Sequence, residues 1–137
     1  MKILINRGNA EDAKNYPYWV ELIKLLKEHE VKEIKGILQE QDIIDLVNWC
    51  DVWISIDSFL QHLVAYHKLK PGIVLWGTSH PAIFGYDSNV NLLKDKKYLR
   101  ADPYLWWRDE ARNPEAFVAP NKILESIMRS NINLHKT

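Results

Sequence analysis

The chain has 137 residues, 47% hydrophobic and 26% charged, a size and composition suited to one domain with a single hydrophobic core. Eighteen basic residues offset eighteen acidic ones, so no bulk field draws it to nucleic acid or to an anionic membrane surface. The single cysteine, Cys50, excludes an internal disulfide and a cysteine-based zinc site, and a reducing compartment, the cytoplasm, is the expectation.

Lys2–Asn6 reads as a short buried strand that turns at Arg7-Gly8-Asn9. The opening MKILINRG is too short an apolar run for a secretory signal, and no later run approaches a membrane span. Pro17 suits the first turn of a helix reaching about His29, with Trp19, Leu22, Ile23 and Leu26 on one face. Val31, Ile34, Ile37 and Leu38 predict a strand over Val31–Leu38, interrupted by Gly36. Ile43, Ile44, Leu46, Val47 and Cys50 recur at helical spacing over Gln41–Cys50. Val52–Ile56 is a strand and Ser58–Leu69 a helix, with Ser58 and Gln61 spaced as a capping box. Ile73–Trp76 is a further strand and Asn89–Leu93 an edge strand. Tyr98–Ala119 mixes aromatics and charges without a clean period. Pro120–Arg129 is a closing helix with Ile123, Leu124, Ile127 and Met128 facing inward. The alternation predicts an α/β fold, a small doubly wound, mainly parallel Rossmann-like sheet, as one domain over 1–137.

The polar residues that end the strands are the candidate site. One apolar run ends in Asp57-Ser58 and a helix opens there with His62 in its first turns. The next run ends in Gly77-Thr78-Ser79-His80. In open α/β sheets, ligands sit at the carboxyl ends of the strands, and a helix that starts there aims N–H groups at phosphate. Asp57 either orders a phosphate loop or is a helix N-terminal carboxylate favoured by the dipole. Ser58 is a helix cap whose N–H also suits a ligand. His62 offers a hydrogen bond or a positive charge near phosphate. His67 and His80 lack partners at metal spacing, so neither a metal nor another cofactor is expected. Trp76 is a core or pocket-wall ring, and Asp42 and Asp45 mark a solvated helix face. Tyr104, Trp106 and Trp107 are either core or an interface cluster.

These residues resemble the C-terminal, donor-binding domain of glycosyltransferase family 9, the ADP-heptose–lipopolysaccharide heptosyltransferases. Asp57-Ser58-Phe59-Leu60-Gln61-His62 stands where that family has Asp-Thr/Ser-Gly-x-x-His. Pro71-Gly72-Ile73-Val74-Leu75-Trp76-Gly77-Thr78 is similar to its Pro-x-Val-x-Leu-aromatic-Gly-x-Thr segment, and Lys14-Asn15-Tyr16-Pro17 to its Lys-aromatic-Pro loop. The likeness spans roughly residues 1–90. It implies half of a GT-B fold, with Lys14 on donor phosphate and the backbone from Ser58 to His62 around the diphosphate. The family's glycine is Phe59 here, and the chain before Gln41 is shorter by a strand–helix pair. The family's catalytic carboxylate belongs to an acceptor domain outside the matched region, so no sugar turnover is expected of these residues alone.

The expectation is therefore binding of a nucleoside diphosphate or nucleotide-sugar by Lys14, Asp57, Ser58, Phe59, Leu60, Gln61, His62, Gly77 and Thr78. Two alternatives stay open: a non-catalytic protein that sequesters a nucleotide-derived ligand, and a protein-interaction module anchored by Trp106 and Trp107. A homodimer or a partner chain is expected to cover the aromatic surface.

Overall fold

The computed structural model describes residues 1–8, 15–36, 38–104 and 113–136, with side chains described as far as Arg129. Five strands alternate with helices: β1 (Lys2–Asn6), α1 (Trp19–Leu25), β2 (Glu30–Glu33), α2 (Glu40–Trp49), β3 (Val52–Ile56), α3 (Phe59–Tyr66), β4 (Ile73–Trp76), α4 (Pro81–Phe84), β5 (Val90–Leu93) and α5 (Pro120–Lys136). The strands form one sheet in the order β2-β1-β3-β4-β5, with every pair parallel. This is the doubly wound α/β arrangement the sequence predicts.

Alternation along the strands divides the core between two faces. Ile3, Ile5, Val52, Ile54, Ile56, Ile73 and Leu75 pack with α1, α5 and the segment Ala116–Val118. Leu4, Trp53, Val74 and Trp76 pack with α2 and α3 on the other face. Burial on both faces explains why the central strands read as continuous apolar runs rather than alternating ones. The buried Trp19, Trp53 and Trp76 each place their indole N–H on an acceptor: Asn15 Oδ1 at 3.0 Å, the Lys70 carbonyl at 2.9 Å and Asn91 Oδ1 at 2.9 Å. Trp76 is thus a core ring, 1% exposed.

Several boundaries differ from the expectation. β2 stops at Glu33, although Ile34 N–H still reaches the Ile5 carbonyl, because Gly36 takes φ +72° and turns the chain away. α3 stops at Tyr66 because Lys68 adopts φ 54° and the Leu69 N–H closes back on the Val64 carbonyl. α1 starts at Trp19, so Pro17 lies in the preceding turn. α5 runs past Arg129 to Lys136, and Met128 is 47% exposed rather than inward. With β2 directly beside β1, no further strand–helix pair stands between them.

The segment before α5 is sewn to the first helix through Tyr16. The buried Tyr16 ring meets Tyr18, Trp19 and Phe117 edge to face, and its hydroxyl donates to the Val118 carbonyl at 2.8 Å. Burial, and after it the negative fields of Tyr18 and Glu21, push this phenol well above its ordinary range. The folded state therefore keeps a proton that the unfolded chain releases near pH 10, so this contribution is complete below about pH 10 and declines above it. Tyr16→Phe is expected to cost about 1 kcal/mol at neutral pH by orphaning the Val118 carbonyl. The urea midpoint of the variant should also fall less than the wild type's between about pH 9 and 11. An unchanged midpoint at neutral pH would remove the hydrogen bond from the account.

Candidate functional site

The connections reverse direction across the sheet between β1 and β3, since β2 lies on one side of β1 and β3, β4 and β5 on the other. That reversal opens a crevice at the carboxyl ends of the two strands. Gly8 turns the chain out of β1 with φ +70°, and a Cβ there would fall 2.3 Å from Ile56 Cδ1. Backbone thus passes close over the end of β3, as only glycine permits.

Asn6 and Ser55 are register partners and face α3. The Asn6 amide donates to Ser55 Oγ at 2.9 Å and to Ser58 Oγ at 2.8 Å, and Ser55 Oγ donates to the Ile56 carbonyl at 2.8 Å. Ser58 is the N-cap of α3, yet its hydroxyl makes no capping bond to its own helix. The expected capping box does not form, because Asn6 holds Ser58 Oγ and Gln61 Nε2 donates to Asp57 Oδ1 at 2.7 Å. Among the described residues no Ser58 cap reaches the first N–H groups of α3, at the positive end of the helix dipole. Gln61 is fully buried, and its Oε1 meets no donor among the described residues. An orphaned buried amide oxygen costs about 1–3 kcal/mol, so a polar partner there is stabilising.

The other candidate residues divide by role. Asp57 is 7% exposed at the end of β3. Leu60 is wholly buried in the α2–α3 core, so only its backbone faces the crevice. Phe59 opens α3 with its ring 48% exposed. His62 is exposed and pairs Nδ1 with the Tyr86 hydroxyl at 2.8 Å, its ring edge-on to that tyrosine. Gly77 is fixed by packing, since a Cβ there would lie 2.5 Å from the Phe117 ring. The Thr78 carbonyl accepts from Arg100 N–H at 3.0 Å, and His80 Nε2 pairs with the Arg100 carbonyl at 2.8 Å. These bonds strap the loop after β4 to the loop after β5. Lys14, Trp106 and Trp107 lie outside the described residues.

A second polar group stands across β1, where sequence reasoning assigned nothing. Glu33 ends β2 and pairs with Arg7 through Oε1 and with Lys35 through Oε2, the latter at 3.1 Å. Burial alone would raise its pKa, but hydrogen bonds and charge from Lys35 and Arg7 outweigh this and hold the carboxyl below its usual range. An acidic residue closing the second strand of an α/β sheet is the signal that was there to be read. Cys50 offers no nucleophile: burial pushes its thiol up to about 11, and its Sγ sits 3.1 Å from the Val47 carbonyl. Among the described residues no three His, Cys, Asp or Glu side chains converge as a metal site requires. No described helix is long and apolar enough to cross a membrane.

No family model and no curated protein matches the sequence. Solved structures do match the fold. The iron-containing dodecameric glycosyltransferase TibC from enterotoxigenic E. coli H10407 superposes with a TM-score of 0.74 at 16% identity, over 99% of this chain and 47% of that one. The same heptosyltransferase in complex with ADP-D-beta-D-heptose gives 0.72 at 16% identity, over 97% and 45%. E. coli heptosyltransferase WaaC with ADP gives 0.64 at 16% identity, over 94% and 44%. The chain thus spans just under half the length of the structures it matches. The fold is a Rossmann-like α/β domain of the kind found in GT-B glycosyltransferases.

The double hydrogen bond of Asn6 makes a direct prediction. Asn6→Ala leaves two buried or half-buried hydroxyls without their donor and should destabilise the domain by about 1–3 kcal/mol in urea unfolding. Retained wild-type stability would mean that the Asn6–Ser55–Ser58 network does not hold the end of β1 to α3.

Proposed function

We propose that the chain binds a nucleoside diphosphate or nucleotide-sugar through its diphosphate, at the carboxyl ends of β1, β3 and β4. One observation supports the reading: α3 opens at the switch point of the sheet with no cap from its own serine, whose hydroxyl is held by Asn6. Helix N-termini in that position suit phosphate by geometry and by dipole. In this reading the N–H groups from Ser58 to His62 cradle the diphosphate and Asp57 orders the turn. His62 and Thr78 border the ligand, and Gly77 keeps the loop after β4 close. The Phe59 side chain lies at the mouth, while its N–H remains part of the cradle. Lys14 is assigned to phosphate on the sequence resemblance.

Two neighbours of this fold are described with ADP and with ADP-D-beta-D-heptose, which supports adenine nucleotides as the first ligands to try. The chain then acts as a donor-binding domain of the family 9 kind. Calorimetry against ADP, UDP, GDP and their sugars is expected to give saturable binding for at least one diphosphate and weaker binding for its monophosphate. Lys14→Ala should weaken that binding by about 1–3 kcal/mol with little change in melting temperature. Absence of binding across the panel would end the proposal, and equal affinity for Lys14→Ala would remove Lys14 from it.

The same reading includes self-association. Tyr104 is 74% exposed, its ring edge-on to Phe84, and Ile83, which precedes Phe84, is 44% exposed. An exposed tyrosine with an exposed isoleucine fits a contact between copies, to which Trp106 and Trp107 are assigned from the sequence. Light scattering at micromolar concentration is expected to show a dimer or larger, shifted toward monomer by Trp106→Ala with Trp107→Ala. A monomeric mass for the wild type would refute it.

A further inference from the structure

A groove runs along the flank of α3, between the helix and the turn that leads into β5. It encloses about 200 Å³. One wall is the stripe from Gln61 through Val64 and Lys68 to Leu69, residues that recur at the three- and four-residue spacing of a single helix face. The other wall is Pro71 with Ser88 and Asn89. The backbone N–H of Gln61 belongs to the crevice in the diphosphate reading, whereas its side chain borders this groove. A cavity of about 150 Å³ holds benzene, so the groove suits a molecule of roughly seven heavy atoms or a few more.

The two ends of the groove differ in chemistry. Gln61 is wholly buried, and its Nε2 donates to Asp57 Oδ1 at 2.7 Å. A carboxylate only accepts, so the amide nitrogen must face Asp57 and cannot trade places with the oxygen. Oε1 is thereby fixed as the end without a donor among the described residues. A hydroxyl placed there removes the cost of that orphaned acceptor. An ammonium suits it less, because a buried charge needs an opposite one. At the other end stands the exposed Lys68, with which no carboxylate pairs among the described residues. Seven residues of helical rise separate the two, about 10 Å. Val64, Leu69 and Pro71 make the space between them apolar. Asn89 accepts the Gly72 N–H on its Oδ1 at 3.1 Å, so its amide nitrogen remains a donor at the wall.

We infer that this groove binds a short-chain carboxylate with a hydroxyl at its far end. The hydroxyl donates to Gln61 Oε1, the methylene chain lies against Val64, Leu69 and Pro71, and the carboxylate meets the Lys68 ammonium. The site is separate from the diphosphate cradle and stands or falls without it. A site whose buried acceptor is satisfied only by the ligand rejects analogues that lack the donor, because the acceptor is then left unpaired.

The probe is 4-hydroxybutyrate, titrated into the isotope-labelled full chain and followed by nuclear magnetic resonance. Saturable shifts are expected at the Gln61 side-chain amide and at the N–H groups of Ala65, Leu69 and Ser88. Butyrate, which lacks the hydroxyl, should bind about fivefold weaker or worse. Lys68 already adopts φ 54°, a conformation glycine takes freely, so Lys68→Gly removes the ammonium without straining the backbone. That variant should bind 4-hydroxybutyrate about two- to fivefold weaker and leave 1,4-butanediol, which has no carboxylate, unchanged. Equal affinity of the wild type for butyrate and 4-hydroxybutyrate overturns the inference, since Oε1 then takes nothing from the ligand. Equal affinity of wild type and Lys68→Gly for 4-hydroxybutyrate overturns the role of the ammonium. Absence of saturable shifts, or shifts confined to the Phe59 and Leu60 N–H groups in the crevice, overturns the site.

Discussion

The side-chain amide of Asn6 is shared between two serines, Ser55 at 2.9 Å and Ser58 at 2.8 Å, and the crevice takes its form from that sharing. It ties the end of β1 to the turn between β3 and α3. It also takes the Ser58 hydroxyl away from its own helix. A free Ser58 would satisfy one of the orphan donors of α3, as N-cap serines ordinarily do. Held by Asn6, it makes no such bond. Gln61 is drawn in the same way: its amide nitrogen goes to Asp57 at 2.7 Å and its oxygen is left without a described donor. The same few bonds stabilise the turn and keep the Ser58 hydroxyl off its own helix.

Around that point the two faces of the sheet contribute differently. The α2–α3 face supplies the helix that opens on the crevice and a core centred on Trp53 and Trp76. The opposite face supplies closure. Tyr16 fastens the chain before α1 to Val118, and Phe117 lies so near Gly77 that a methyl group there has no room. The Arg100 backbone straps Thr78 and His80. The strand ends are thus bordered by chain from distant parts of the sequence, and the Arg7–Glu33–Lys35 group stands on the far side of β1.

The sheet was legible because its central strands are buried on both faces and therefore appear as apolar runs. β1, β3 and β4 match the sequence to the residue. Boundaries failed where a single backbone angle decides. Gly36 was visible as an interruption, but nothing in the sequence marks Lys68 as the left-handed residue that ends α3. The strand ends that form the candidate site were legible from Asp57-Ser58 and Gly77-Thr78 following apolar runs. The local chemistry of Ser58 was not, since its partner Asn6 lies 52 residues away and a capping box is a local rule. Tyr16 shows the same limit: the motif aromatic is a core residue because of a carbonyl 102 residues distant. Glu33 was overlooked because charged residues on an edge strand read as solvated surface until the topology puts them at a strand end.

In the proposed function, diphosphate binds at the start of α3, where Ser58 gives no cap. Amide resonances of the isotope-labelled protein, followed by nuclear magnetic resonance during titration with ADP, test it most directly. Large, saturable shifts are expected at the N–H groups of Phe59, Leu60 and Gln61, with smaller ones at Gly77 and Gly8. Shifts confined to the opposite edge of the sheet, around Asp51, Leu69 and Gly72, would contradict it.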